Sequence, residues 1–254
     1  MAFQTFFKRH ELKYLITQRQ AEAILNEISP YMEPDRYGKT TVRNLYFDTD
    51  SFRLIRRSVE KPLYKEKLRV RSYERASADS TVFVELKKKY ESVVYKRRIA
   101  LREAEAMGWL CKSMQAPTDT QIAREIDYFM KFYGEVKPTV FLSYERQAYK
   151  ERNGLDLRIT FDRNVLFRQT DLSLCSEVYG ESILNEDTVL MEIKSSGGIP
   201  LPLVRVLSRE KIYKTSFSKY GTAYERVILP RLLLENNGRK KENFSYASNI
   251  QRLI

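Results

Sequence analysis

Histidine and cysteine are nearly missing from this chain: His10 stands alone, and Cys111 and Cys175 lie far apart with no metal-type spacing. A Cys/His zinc site is thereby excluded, because such sites need several of these ligands at short, paired spacings. The Ser/His/Asp and Cys/His arrangements of nucleophilic catalysis are absent as well. The two cysteines read as free thiols in a reducing cytoplasm. Long apolar runs are also lacking. The most apolar stretch, "VILPRLLL" from Val227, contains Pro230 and Arg231 and is far shorter than the ~20 residues a membrane helix needs. No charged leader with an apolar core and small-residue cleavage site is seen, so the expectation is a cytoplasmic protein without a signal peptide or transmembrane segment. Acidic residues are in deficit, with 33 Asp+Glu against 45 Lys+Arg and a formal charge of +12. That surplus favours a negatively charged partner: nucleic acid, nucleotide, polyphosphate or an anionic membrane surface.

What is present suits a folded domain. The 254 residues are 43% hydrophobic, with 17 Tyr and 13 Phe, ample for a core. "FKRHELKYLIT" alternates as a strand, and Thr17 with Gln20 forms a capping box opening a helix with Ala21, Ile24, Leu25 and Ile28 on one face. "MEPDRYGK" reads as a loop, "TVRNLYFDT" as a strand and "DSFRLIRRSVE" as a short helix. Three strands joined by turns follow, "YKEKLRVRSY", "TVFVELKKK" and "VVYKRRIALR". Two helices come next, the second opened by a box from Thr118 to Gln121. "PTVFLSYERQAYKE" and, after a turn at Asn153 and Gly154, "LDLRITFDRNVLF" are strands, as is "TVLMEIKSS". "LVRVLSREKI" and "SKYGTAYERVILPRLL" are helical. Residues 1–235 thus form one domain, and 236–254 a polar, basic tail.

The strands share one pattern. In "KEKLRVRSY" the two-residue period puts Lys65, Lys67, Arg69 and Arg71 on one face and Glu66, Leu68 and Val70 on the other. The same parity separates Glu85, Lys87 and Lys89 from Val82, Val84 and Leu86, with Phe83 interrupting the polar face. It separates Lys96 and Arg98 from Arg97, Ile99 and Leu101, and Asp156, Arg158, Thr160 and Asp162 from Leu157, Ile159 and Phe161. Glu192 and Lys194 oppose Met191 and Ile193, and Glu11 and Lys13 oppose Leu12 and Tyr14. Two architectures satisfy this: an open sheet with its charged face in water, or a closed antiparallel β-barrel with a basic interior and helices packed outside. The prominence of arginine, whose fork matches phosphate oxygens, leans toward the barrel.

The ordered set "NLYFDTDS", "KLRVRSY", "VFVELKKK", "YKRRIAL", "YERQAY", "RITFD", "LMEIK" and "SFSKYG" resembles the VTC domain, the polyphosphate polymerase branch of the triphosphate tunnel metalloenzyme (CYTH-like) superfamily. The likeness runs to about residue 230. It implies an α+β fold whose antiparallel barrel forms the tunnel. It also implies that Lys13, Arg69, Arg71, Lys87, Lys96, Arg98, Arg146, Arg158 and Lys219 line the tunnel and carry the reaction. Of these, Arg69, Arg71, Lys87, Arg146 and Lys219 would hold the triphosphate, and Glu192 would bind a divalent metal, manganese or magnesium. The implied reaction moves the γ-phosphoryl group of ATP onto a growing inorganic polyphosphate chain. Arg9 stands where the hydrolases and cyclases of the superfamily carry the first Glu of a Glu-x-Glu-x-Lys motif, which suits the polymerase branch. Ser216 stands where some polymerases have a second Lys, for which Lys214 is the nearest substitute.

Phosphoryl transfer asks mainly for positioning and charge neutralisation, and an acceptor phosphate oxygen is already ionised, so no general base is needed. The alternatives are a metal-dependent tripolyphosphatase or nucleoside triphosphatase in the same tunnel, and a non-catalytic sensor of polyphosphate or nucleotide. Nucleic acid is not expected as a partner, because most aromatics lie opposite the cations rather than interleaved with them. Glu11 and Glu85 read as partners of the tunnel cations, Asp48 equally well as a turn or helix cap or as a ligand, and "YFDT" as core packing.

Overall fold

Strand alternation and helical caps combine into one antiparallel sheet with helices against both faces. In chain order the elements are β1 (His10–Thr17), α1 (Gln18–Ile28), β2 (Met32–Asp48), α2 (Arg53–Val59), β3 (Tyr64–Ser72), β4 (Thr81–Tyr90), β5 (Val93–Arg102), α3 (Glu103–Cys111), α4 (Gln121–Tyr133), β6 (Lys137–Glu151), β7 (Leu157–Arg168), β8 (Glu181–Ser182), β9 (Thr188–Ser195), α5 (Leu201–Arg209) and α6 (Lys219–Ala223), followed by a π-helical turn (Tyr224–Ile228). The computed structural model describes residues 10–91, 93–153 and 156–235. Arg9, Gly154 of the expected turn and the tail from 236 lie outside the described residues.

The strand order is β1-β9-β7-β6-β2-β3-β4-β5, with β8 pairing on β7. Its two ends are not joined by strand pairing among the described residues; the sheet instead curls until they face each other. Lys87 on β4 lies near enough to Glu11 and Lys13 on β1 and to Lys194 on β9 to feel their charges. The segment ahead of α6 fills the seam. The Thr215 N–H donates to the Lys13 carbonyl at 2.8 Å, and Lys13 Nζ donates to the Phe217 carbonyl at 3.0 Å. Lys67 Nζ, from β3, donates to Ser218 Oγ at 3.1 Å. Strands far apart in the sheet are thus tied to one short stretch, and the expected barrel is a curled, tunnel-like sheet whose seam is that stretch.

Apolar burial decides which face turns outward. Leu68 and Val70 of β3 and Val82, Val84 and Leu86 of β4 pack under Trp109 of α3 and Ile126 and Phe129 of α4. Ile159, Phe161, Met191 and Ile193 pack under Ile24 and Ile28 of α1 and Leu203 and Val206 of α5. Full burial of one such side chain contributes roughly 1.5–3 kcal/mol, so several per strand fix its facing. A third cluster sits on the inner face: Val42, Tyr46, Leu142 and Tyr144 are covered by Ile55 of α2 and by Tyr220, Tyr224 and Ile228 of the C-terminal helix. That helix spans 219–235 and widens into its π turn just before Pro230, which has no N–H to continue the regular ladder.

Most local expectations hold, including the Thr17–Gln20 capping box. Two are corrected. "MEPDRYGK" is the first part of β2, pairing Met32, Glu33 and Pro34 with Glu151, Lys150 and Tyr149 of the long β6. The irregular step before Lys39 is taken at Gly38, whose φ of +54° costs a glycine little. Turn-forming residues were outweighed there by a partner strand that sequence periodicity could not supply. The cap of α4 is Thr120, not Thr118: its Oγ1 accepts from the Ala123 N–H at 3.2 Å, while the Gln121 side chain turns forward to Glu125.

Candidate functional site

The inward face of "KEKLRVRSY" is organised by a carboxylate from the next strand. Glu85 lies directly opposite Arg69 of β3 and Arg98 of β5 and is only 1% exposed. Its Oε2 accepts from Arg69 Nε and Nη2 at 2.8 and 2.7 Å. Its Oε1 meets Lys96 Nζ at 2.6 Å and Arg98 Nε at 3.4 Å, and Arg71 Nε stands 3.9 Å from Oε2. Burial alone would raise the Glu85 pKa, but Arg69, Arg71 and Lys96 outweigh it and hold the carboxyl well below the usual range. One buried anion therefore gathers four cations that would otherwise repel. The heads of Arg69, Lys96 and Arg98 remain partly open to water.

Asp162 of β7 does the same on the other side. Arg146 forks onto it at 2.6 and 2.7 Å, and Lys219, the first residue of α6, reaches it at 2.5 Å. Asp162 is fully buried, and Lys219 and Arg146 overcome that burial to keep its pKa low. Tyr144 ties the two groups together. Its ring lies under Lys219 Nζ at 4.2 Å and the Arg146 guanidinium at 5.0 Å, and its hydroxyl accepts from Arg71 Nη2 at 3.2 Å. Burial pushes the Tyr144 phenol up, but Arg146, Arg71 and Lys219 bring it down to about 8. Arg71 is further held by Asn44 Oδ1 at 2.9 Å, and Arg69 by the Tyr46 hydroxyl at 2.9 Å.

Between β1 and β9 the charges alternate across the ladder, Glu11 opposite Lys194 and Lys13 opposite Glu192. Lys13 Nζ stands 3.3 Å from Glu11 and 3.6 Å from Glu192, and Lys194 stands 3.3 Å from Glu192. Glu192 also faces Arg146 at 3.9 Å. Burial opposes ionisation there, yet Lys219, Lys194, Lys13 and Arg146 keep its carboxyl well below the usual range.

The structure thus brings Lys13, Arg69, Arg71, Lys96, Arg98, Arg146, Lys219 and Glu192 into one charged array. Lys87 joins by proximity of charge alone, with no ion pair among the described residues, and burial pushes its pKa down. Arg158 sits opposite Lys194 on the β7–β9 ladder and is bonded to Asp35 Oδ2 at 2.6 Å. Lys214 is exposed, like Ser216, and makes no ion pair among the described residues. Glu11 and Glu85 pair with the cations as expected. Asp48 is the expected cap, accepting from the N–H groups of Leu54 and Ile55 at the start of α2. In "YFDT", Phe47 is core, whereas Tyr46 touches the array through Arg69. Asp162, Lys67 and Lys194 could have been chosen by parity. Tyr46 and Tyr144 carried no such signal, since an aromatic residue in a strand reads as core.

Among the described residues no group of three or more His, Cys, Asp or Glu could hold a metal ion. Glu192 and Glu11 could still offer one or two carboxylate ligands, with substrate phosphate oxygens and water completing the shell. Hard divalent ions are commonly held that way, so the donor set fits such an ion only together with a phosphate ligand.

Lys67 gives the array a pH dependence. Burial, with Lys65, Lys87, Lys13 and Arg69 near it, pushes its ammonium down to about 7. Its folded pKa lies below its unfolded value, so the unfolded chain binds more protons, and the empty fold gains stability as pH rises from about 7 toward 10.5. A bound polyanion restores the charged form, so tripolyphosphate binding at pH 8 should take up about one proton. Titration calorimetry in two buffers of different ionisation enthalpy reads this directly, and Lys67→Met should shrink the difference. Equal heats for wild type in both buffers would refute it.

Comparison with known proteins gives a family and a fold. The family model described as the VTC domain matches residues 8–228. A solved structure from Bacillus halodurans, provisionally named an adenylate cyclase, aligns with a TM-score of 0.51 at 16% identity, covering 82% of this chain and 92% of that one. Another from Vibrio parahaemolyticus, named in the same provisional way, aligns with a TM-score of 0.43 at 12% identity, covering 84% of this chain and 96% of that one. At such identity the first likeness speaks for the fold alone. No curated protein matches.

Proposed function

The chain belongs to the VTC domain family, and from that premise we propose that it is a polyphosphate polymerase, transferring the γ-phosphoryl group of ATP to a growing inorganic polyphosphate chain. The observation that carries this reading is the array itself: cations gathered around the buried anions Glu85 and Asp162, an arrangement suited to holding phosphate groups. Arg69, Arg71, Arg98 and Arg146 are pre-placed to donate to phosphate oxygens, and Lys13, Lys87, Lys96 and Lys219 add point charge. Because partners already fix all of these but Lys87, little side-chain freedom is lost when the triphosphate arrives.

In the transfer, a terminal oxygen of the polyphosphate chain forms a bond to the γ-phosphorus of ATP. The bond from that phosphorus to the β–γ bridging oxygen breaks, and ADP leaves with the electron pair. The acceptor oxygen is already ionised, so no proton has to be removed from it. The cations stabilise charge that spreads over the equatorial oxygens and the leaving group. Manganese or magnesium, held by Glu192 and Glu11 with the phosphates, would supply further charge neutralisation when bound.

Purified protein with ATP and manganese should yield polyphosphate and ADP together. Orthophosphate without polyphosphate would make this a hydrolase, with water as the acceptor. Absence of turnover with any divalent ion, with binding intact, would make it a sensor.

A further inference from the structure

A cavity of about 720 Å³ opens beside the cation array, within the size range of small-ligand sites. Tyr37, Tyr73 and Arg43 line it, together with the hydroxyls of Thr40 and Thr41. Arg43 is only 9% exposed, and its Nε has no hydrogen-bond partner among the described residues. A buried N–H of this kind ordinarily has an acceptor, so one supplied by a ligand would complete it. The rings of Tyr37 and Tyr73 lie within 8° of parallel, with centroids 6.1 Å apart, and Tyr37 is 54% exposed.

The cavity starts where the phosphate-holding groups end, because Tyr73 belongs to both. Its hydroxyl accepts from Arg98 Nη2 at 3.1 Å, and its ring lies 6.0 Å from the Arg71 guanidinium. The Tyr37 turn is anchored from the array side as well. Asp35 accepts from the Tyr37 N–H at 3.0 Å and from Arg158 at 2.6 Å, which gives Arg158 a positioning role rather than a free cation's role. The other cations around the cavity are already engaged: Lys39 with Glu145 at 2.7 Å, Arg75 with Glu177, and Arg36 with the Tyr37 hydroxyl at 2.5 Å. Tyr73 is covered by Tyr37, Phe83 and Arg98, so what is left for a ligand is the exposed part of the Tyr37 ring, beside Arg36, with the Thr41 hydroxyl and one N–H donor. Those suit a planar heterocycle better than a second polyanion.

We propose that this cavity receives the purine base of the nucleoside triphosphate whose phosphates lie in the array, stacked on the exposed part of the Tyr37 ring with an acceptor edge toward Arg43. The inference rests on the triphosphate reading above and names what selects a nucleotide over inorganic triphosphate as the phosphoryl donor.

Titration calorimetry with magnesium, using the β,γ-imido analogue of ATP and inorganic tripolyphosphate, tests it on wild type, Tyr37→Ala and Tyr37→Phe. Tyr37→Ala should weaken the ATP analogue about tenfold, near the lower end of base stacking on an aromatic side chain, and leave tripolyphosphate affinity unchanged. Tyr37→Phe, which keeps the ring, should bind both ligands as wild type does. Equal weakening of both ligands by Tyr37→Ala, no weakening of the analogue, or equal losses in the Phe and Ala variants would each overturn the base site while leaving the array intact. If wild type binds neither ligand, the triphosphate reading fails and the base site fails with it.

Discussion

Asp162→Ala should lower the thermal midpoint by roughly 6–20 °C, the expected consequence of losing about 3–5 kcal/mol in a chain of this size. Asp162 is 0% exposed, and both of its oxygens are engaged by cations that are themselves mostly buried. Without it, the Arg146 fork and the Lys219 ammonium face each other beside Lys13 and Lys194, with Glu192 as the nearest remaining carboxylate. Tripolyphosphate should recover part of the loss by supplying the missing negative charge; at about 100 times its dissociation constant a ligand adds roughly 2.7 kcal/mol. The Asp162 pKa is depressed in the fold, so its stabilisation is present above the unfolded value near 3.8 and is lost as pH falls through the folded value. Wild type and variant should therefore converge in strongly acidic buffer. Melts with and without tripolyphosphate, across pH, check each part. A drop of under about 2 °C at neutral pH would show that Asp162 is not the anchor of this half of the array.

Arg69→Ala should reduce kcat/KM for ATP by about 10³-fold or more, the scale seen when an arginine that stabilises a transferring phosphoryl group is removed. Arg69 is suited to that task because its head is still 23% exposed while two partners, Glu85 and the Tyr46 hydroxyl, fix its plane. Folding should survive, since Glu85 keeps Lys96, Arg98 and Arg71 around it. Arg69→Lys should recover little, because an ammonium cannot reproduce the planar fork. Steady-state turnover with a melt of each variant separates the outcomes. A folded Arg69→Ala protein with activity within tenfold of wild type would remove Arg69 from the reaction.

Sequence alternation alone told which side chains share a face of each strand. Backbone geometry turns successive strand residues to opposite faces, so "KEKLRVRSY" could place Arg69 and Arg71 opposite Leu68 and Val70 wherever β3 lay. The same local rule read the Thr17–Gln20 capping box and the Asp48 cap correctly, because both bonds stay within a few residues. It could not say what stands across the curl. Lys67 meets Ser218, 151 residues away, and Arg158 meets Asp35, 123 residues away. The pairing of residues 32–34 with β6, the seam closed by 215–218, and the use of Tyr46 and Tyr144 as partners of cations were likewise decided only by the tertiary structure. Alternation fixes the side of a strand to which a residue belongs. Its partner depends on how the whole sheet bends, and that bend is set by apolar burial on both faces at once.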